Sequence, residues 1–157
     1  MSSSFEELLA RDGHLVYRTQ GRSMEPMLKQ NRDLVIIRVP DSRLCKYDVA
    51  MYKRGSKYIL HRVIGVKPDH YLIRGDNTFI KETVPDSEVI GVLTGFRRKG
   101  KQHDVTEPGY RFYVRFWNAI YPLRLVHVRI RNLLVWAARK MGLMPLIRKM
   151  LRKEGAS

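Results

Sequence analysis

Two short runs of this chain hold the residue types of nucleophilic catalysis. Gly21-Arg22-Ser23-Met24-Glu25-Pro26-Met27 puts a serine in a turn bounded by glycine and proline, and 38 residues after Ser23 stands His61, within Ile59-Leu60-His61-Arg62-Val63-Ile64. A serine hydroxyl is a weak nucleophile until a base takes its proton. A histidine on a separate β-like segment can do so near neutral pH, without the strong desolvation that a lysine base needs. Gly21 can adopt the positive φ of a tight approach, and Pro26 fixes the chain direction after the serine. Ser23 is thereby offered at the end of a strand. Alone, Ser-Met-Glu-Pro is an ordinary turn. With His61 and the later Arg74-Gly75-Asp76-Asn77 it points to serine protease chemistry, in which His61 takes the Ser23 proton and returns it to the leaving amine.

Ser-Met-Glu-Pro, His-Arg-Val-Ile and Gly-Asp-Asn, in that order, resemble the signal peptidase I superfamily. The nearer branch is the endoplasmic-reticulum and archaeal one, where histidine replaces the usual catalytic lysine. Arg32-Asp33-Leu34-Val35-Ile36-Ile37 and Tyr47-Asp48-Val49-Ala50-Met51-Tyr52 are similar to that family's two Gly-Asp-hydrophobic strands, with the glycine replaced in each. The resemblance runs from about Val16 to Phe96. It implies Ser23 as nucleophile, His61 as base and no cofactor. Asp76, which matches the Gly-Asp-Asn aspartate, is implied to hold its loop near the site. The branch orients its histidine with an aspartate several residues past Gly-Asp-Asn. Counted without a gap, that place holds Glu82; with an insertion it would be Asp86. Some members carry a serine two residues before the nucleophile, where its hydroxyl assists the oxyanion. Gly21 stands there, which leaves backbone N–H groups, chiefly that of Ser23, to stabilise it.

The elements that must position these residues read as mainly β. Ser4-Phe5-Glu6-Glu7 is a capping box, so a short helix through Leu8, Leu9 and Ala10 should follow and stop at Asp12-Gly13. β-like runs then recur at 15–19, 34–39, 49–53, 58–66, 70–74 and 89–96, with Lys67-Pro68-Asp69 as a hairpin turn. That spacing predicts an antiparallel, partly closed sheet, which the resemblance makes a sheet of the signal-peptidase type. Arg97-Arg98-Lys99-Gly100-Lys101 reads as a solvated basic loop and a boundary. The expected division is a catalytic domain over 1–109 and a basic amphipathic helical tail over 110–157.

With 157 residues, 44% hydrophobic and 29% charged, the chain suits a globular protein, but its net charge of +15 is high. Residues 111–157 carry 11 Lys+Arg against 1 Asp+Glu, so two thirds of the excess lies in the last third. Such asymmetry calls for an anionic partner. Val126, Ile130, Leu133, Ala137 and Met141 recur on one helical face, with Arg124, Arg131, Arg139 and Lys140 off it. Two readings stand. Either that face packs on the sheet, or the tail is an interfacial helix pair, extending through Pro145 to Lys153, on an anionic membrane surface. Nucleic acid is the weakest partner, because stacking platforms use grooves and not a helix stripe. The five histidines lack metal-ligand spacing. Cys45 alone allows no internal disulfide and is expected to be a small buried hydrophobe.

The N-terminus lacks the basic start and apolar stretch of a signal peptide, and no window suits a spanning helix. A cytoplasmic protein, peripheral at a membrane, is therefore expected. Its substrate would be a protein precursor or leader peptide. A self-cleaving regulator and a non-catalytic binding module on a protease-like fold are the other readings. The first usually has a lysine base, where this chain has His61.

Overall fold

Ser4 opens the described part of the chain, residues 4–142 of a computed structural model. Its hydroxyl accepts from Glu7 N–H while the Glu7 carboxylate accepts from Ser4 N–H, so helix α1, Phe5–Asp12, starts in a closed capping box. Gly13 ends it at φ 69°. Strands follow at His14–Arg18 (β1), Leu34–Arg38 (β2), Val49–Arg54 (β3), Lys57–Val66 (β4), His70–Arg74 (β5), Glu82–Pro85 (β6), Val89–Arg98 (β7) and Lys101–Asp104 (β8). Two helices end the described chain, α2 at Pro108–Ala119 and α3 at Tyr121–Lys140. Pro122, in the first turn of α3, suits a position whose N–H has no intrahelical partner.

All strands pair antiparallel, in the order β1-β2-β7-β3-β4-β5-β6, with β8 beside β7. The expected partial closure is absent: β1 and β6 end an open path among the described residues. Closure needs terminal strands long enough to meet with a common stagger, and β6 spans four residues and ends in a proline with no N–H to donate. β6 and β8 were not expected as strands. β8 is polar throughout, Lys101-Gln102-His103-Asp104, and gives no alternating signal. The basic run before it is a hairpin turn and not a boundary, with Lys99 and Gly100 at φ 50° and 81° joining Arg98 to Lys101.

Period-2 alternation makes β3 the spine of the core. Val49 and Met51 join one buried cluster with Leu60, Leu93, Phe96, Met24 and Met27. Ala50 and Tyr52 join a second with Val63, Tyr71, Ile73 and Val84. Cys45 is exposed in the β2–β3 loop, contrary to the expected burial. Its neighbour Leu44 takes the buried position of that loop, in the second cluster, which leaves Cys45 facing outward.

The described chain divides into two compact units, one ending at Arg115 and one beginning at Phe116. The seam lies inside α2. The first turns of α2 carry buried Val114, and Tyr110 and Tyr113 pack against the first cluster. In the second unit the expected helical face is present: Val126, Ile130, Leu133 and Met141 are exposed and Ala137 is half-buried. Residues 145–153 lie outside the described residues. No described helix is long and apolar enough to cross a membrane.

One ion pair pins the sheet to the loops around it. Arg62, in the middle of β4, is 1% exposed and Asp76 4% exposed. The guanidinium donates to both Asp76 oxygens at 2.7 and 2.8 Å, to the Tyr47 carbonyl at 2.9 Å and to Tyr110 Oη at 3.1 Å. Tyr113 Oη donates to Asp76 at 3.1 Å. Burial alone would lower the Arg62 pKa, but the Asp76 carboxylate outweighs it and raises it. Breaking such a pair strands one charge in the core. Arg62→Met and Asp76→Leu should each cost about 3–5 kcal/mol in urea unfolding, and the double variant less than the two together. A single variant indistinguishable from wild type would contradict this.

Candidate functional site

The Ser23 turn is built into the β1–β2 connection by bonds at its base. Thr19 N–H donates to the Asp33 carbonyl at 3.0 Å and Asn31 N–H to the Thr19 carbonyl at 2.9 Å. The fully buried Asp33 carboxylate accepts from Lys29 N–H at 2.9 Å and from Arg32 at 2.6 and 2.8 Å. Burial pushes the Asp33 pKa up, yet Arg32 and the Lys29 N–H prevail and hold it low. Met24, Met27 and Leu28 then plug the turn into the first cluster. Ser23 is left half-buried on the outer rim, and Gly21 takes φ 79°.

The loop after β5 clamps this turn to His61. Asn77 N–H donates to the Ser23 carbonyl at 2.7 Å and its side-chain amide to the Arg22 carbonyl at 3.2 Å. Gly75 lies between serine and histidine. A Cβ there would sit 2.7 Å from the Ser23 carbonyl oxygen and 3.0 Å from His61 Nε2, a space that only glycine can occupy without displacement. The three residues of Gly75-Asp76-Asn77 thus divide the work: Gly75 permits the close approach, Asp76 pairs with Arg62 and Asn77 clamps the Ser23 turn. Asp76 keeps its carboxylate on Arg62 and Tyr113, so it positions the loop.

Ser23 and His61 line one cleft of about 650 Å³. Its apolar wall includes Phe5, Tyr17, Met24, Tyr58 and Leu60. α1 supplies part of that wall. Phe5 stacks on Tyr58 with centroids 4.4 Å apart, and Glu6 accepts from Tyr58 Oη and from Lys53 Nζ. The Tyr58 hydroxyl, then burial opposing it, then Lys53 set the Glu6 carboxyl, which is held at about 2.

The other side of the imidazole meets a pair of acceptors. His61 is 6% exposed, and its Nδ1 lies 3.2 Å from Tyr52 Oη and 3.6 Å from Glu82 Oε1. Tyr52 Oη donates to Glu82 Oε2. Since the single Tyr52 proton goes to Glu82, its oxygen is free to accept an Nδ1–H. That tautomer leaves Nε2, on the Gly75 side, as an acceptor. Arg54, exposed on the same hairpin, pairs with Glu82. Glu82 therefore lies beside His61, whereas Asp86 pairs with Arg43 at 2.7 Å elsewhere.

Sequence reading missed Tyr52 and Arg54, though the signal was present. Gly55-Ser56 is a two-residue hairpin turn between Arg54 and Lys57, with Gly55 at φ 57°. It fixes Ala50 opposite His61 and Tyr52 opposite Ile59, so Tyr52 is the diagonal same-face neighbour of His61. Pairing of Glu82 with Ile73, and of Ile73 with Val63, brings Glu82 across the same face.

No protein-family model matches this chain, and no curated protein matches it. The site therefore stands on its own geometry. Among the described residues, no group of three His, Cys, Asp or Glu side chains could hold a metal ion.

Burial, then the Arg54 charge, lower the His61 pKa from 6.5 to about 4, with Asp76 opposing. Tyr52, raised by burial to about 12, keeps its proton. His61 is thus neutral at neutral pH, as a base must be. A side-chain NMR titration should place it near 4, and Arg54→Gln should move it upward. Between 6.5 and about 4 the unfolded chain binds the extra proton, so acidification through that window costs stability. The loss attributable to His61, up to roughly 3 kcal/mol, should vanish in His61→Gln. An unshifted titration would contradict the buried-base geometry.

Proposed function

We propose that this chain is a serine endopeptidase that resembles the histidine branch of the signal peptidase I superfamily and hydrolyses a peptide bond in a protein precursor or leader peptide. The observation that carries the reading is the clamp of Gly75 and Asn77, which holds the Ser23 turn against the Nε2 side of His61 at one cleft. Tyr47 adds to it: it has φ 85°, the left-handed region that suits glycine, at a position where the resembled family carries glycine. The fold would then be an open variant of the signal-peptidase sheet.

In the proposed reaction Ser23 Oγ attacks the substrate carbonyl carbon while its proton passes to His61 Nε2. The imidazolium formed is balanced through Tyr52 by Glu82, which lies 3.6 Å from Nδ1. Collapse of the tetrahedral adduct breaks the C–N bond, and Nε2 gives its proton to the leaving amine. Water, deprotonated by the same nitrogen, then releases the acyl group from Ser23. Gly21 offers no hydroxyl to the oxyanion, so the Ser23 N–H is the donor at hand. The apolar cleft wall favours a substrate with apolar side chains beside the scissile bond.

Incubated with a proteome-derived peptide library, the full chain should create new N-termini that Ser23→Ala and His61→Ala do not. Glu82→Gln and Tyr52→Phe should slow the same cleavages, Glu82→Gln by on the order of 100-fold or more. Identical cleavage profiles for wild type and Ser23→Ala would overturn the proposal, and a silent library with all variants would favour a binding module on this fold.

A further inference from the structure

α3 carries an apolar stripe along its whole length. Leu123, Val126, Ile130, Leu133, Leu134 and Met141 are spaced at helical intervals, and each is 52–71% exposed. At 100° per residue they fall within one third of the helix circumference. The stripe runs about 27 Å at the helical rise. Single exposed apolar residues are ordinary, but a contiguous stripe of this size marks a surface that is covered when the protein works.

The residues bordering it identify the cover. Arg129 and Lys140 flank one edge, and His127 and Arg131 the other. No acidic residue occurs between Pro108 and Lys153. A second copy laid stripe to stripe would bring these cations against their equivalents. An apolar sheet bounded by negative charge has the opposite and complementary arrangement. Trp136, 58% exposed, lies on the Arg129–Lys140 border with Lys140 Nζ 5.2 Å from its ring. An indole between apolar and charged zones is the arrangement found at lipid headgroup depth. Arginines recurring around the remaining circumference keep the helix from crossing.

We propose that α3 lies in the headgroup region of an anionic phospholipid membrane, with Leu123 to Met141 turned into the acyl boundary and the flanking cations on lipid phosphates. This surface is independent of the Ser23 cleft and of the reaction proposed for it. The stripe supplies binding that salt does not screen, and the cations supply binding that it does.

The test is partition of the full chain onto vesicles of phosphatidylcholine alone and of phosphatidylcholine mixed with phosphatidylglycerol. Binding should be confined largely to the mixed vesicles and should weaken, without vanishing, as salt rises. In a Trp117→Phe background, Trp136 emission should shift to the blue on those vesicles. Ile130→Asp, at an exposed position, should weaken partition by about tenfold or more. Arg129→Ser with Arg131→Ser should weaken it roughly fivefold per arginine and flatten its salt dependence. Three results would overturn the proposal: no binding to the mixed vesicles, binding and Trp136 emission indifferent to Ile130→Asp and to the arginine pair, or a dimer dissolved by Ile130→Asp in a protein that leaves vesicles alone. The last would assign the stripe to self-association. None of these readouts depends on peptide cleavage.

Discussion

The buried Arg62–Asp76 pair is the constraint on which the site depends. Arg62 comes from the strand that carries His61, and Asp76 from the loop that clamps Ser23. Joining them at 2.7 Å therefore ties the strand of His61 to the loop that holds the Ser23 turn. Two ions in a core are expensive. Here the cost is offset by saturation: Arg62 also reaches the Tyr47 carbonyl and Tyr110, and Asp76 also accepts from Tyr113. Those two tyrosines come from α2, so the helix that follows the sheet helps to fix a site far from it in sequence.

A second constraint acts on the far side of the imidazole. Tyr52 stands between His61 and Glu82, with its proton committed to the carboxylate. The arrangement also decides which nitrogen of His61 carries the proton. Arg54 works against it, since it binds Glu82 and lowers the His61 pKa. This keeps the ring neutral, with burial as the larger cause and the Arg54 charge adding to it against Asp76.

Residues whose types carry strong local signals were legible before folding. Ser4 and Glu7 announced α1, and the alternating apolar runs announced six of the eight strands. Ser23 and His61 could be nominated from residue types and order, and Glu82 only from what the family resemblance implies; Ser23 and His61 line one cleft, and Glu82 lies 3.6 Å from His61. β6 and β8 were hidden because four-residue strands, one ending in proline and one polar throughout, owe their state to neighbours and not to their own pattern. Cys45 was misread for a related reason, since burial is decided by where a loop runs. Tyr52 is the instructive omission. Its role follows from register, and register followed from the Gly55-Ser56 turn, a link that propensity alone does not make. The tail followed another logic: its charge was plain in composition, whereas exposure of its apolar face required coordinates.

Everything proposed for the cleft requires that His61 present an unprotonated Nε2 to Ser23, its Nδ1 proton being held by Tyr52 and Glu82. The nitrogen-15 chemical shifts of His61 at neutral pH report this without an intermediary. They should show the Nδ1–H tautomer, with Nε2 of pyridine type, and a collapse of that preference in Tyr52→Phe combined with Glu82→Gln. A proton resident on Nε2 in the wild-type protein, or an imidazolium at neutral pH, would contradict it.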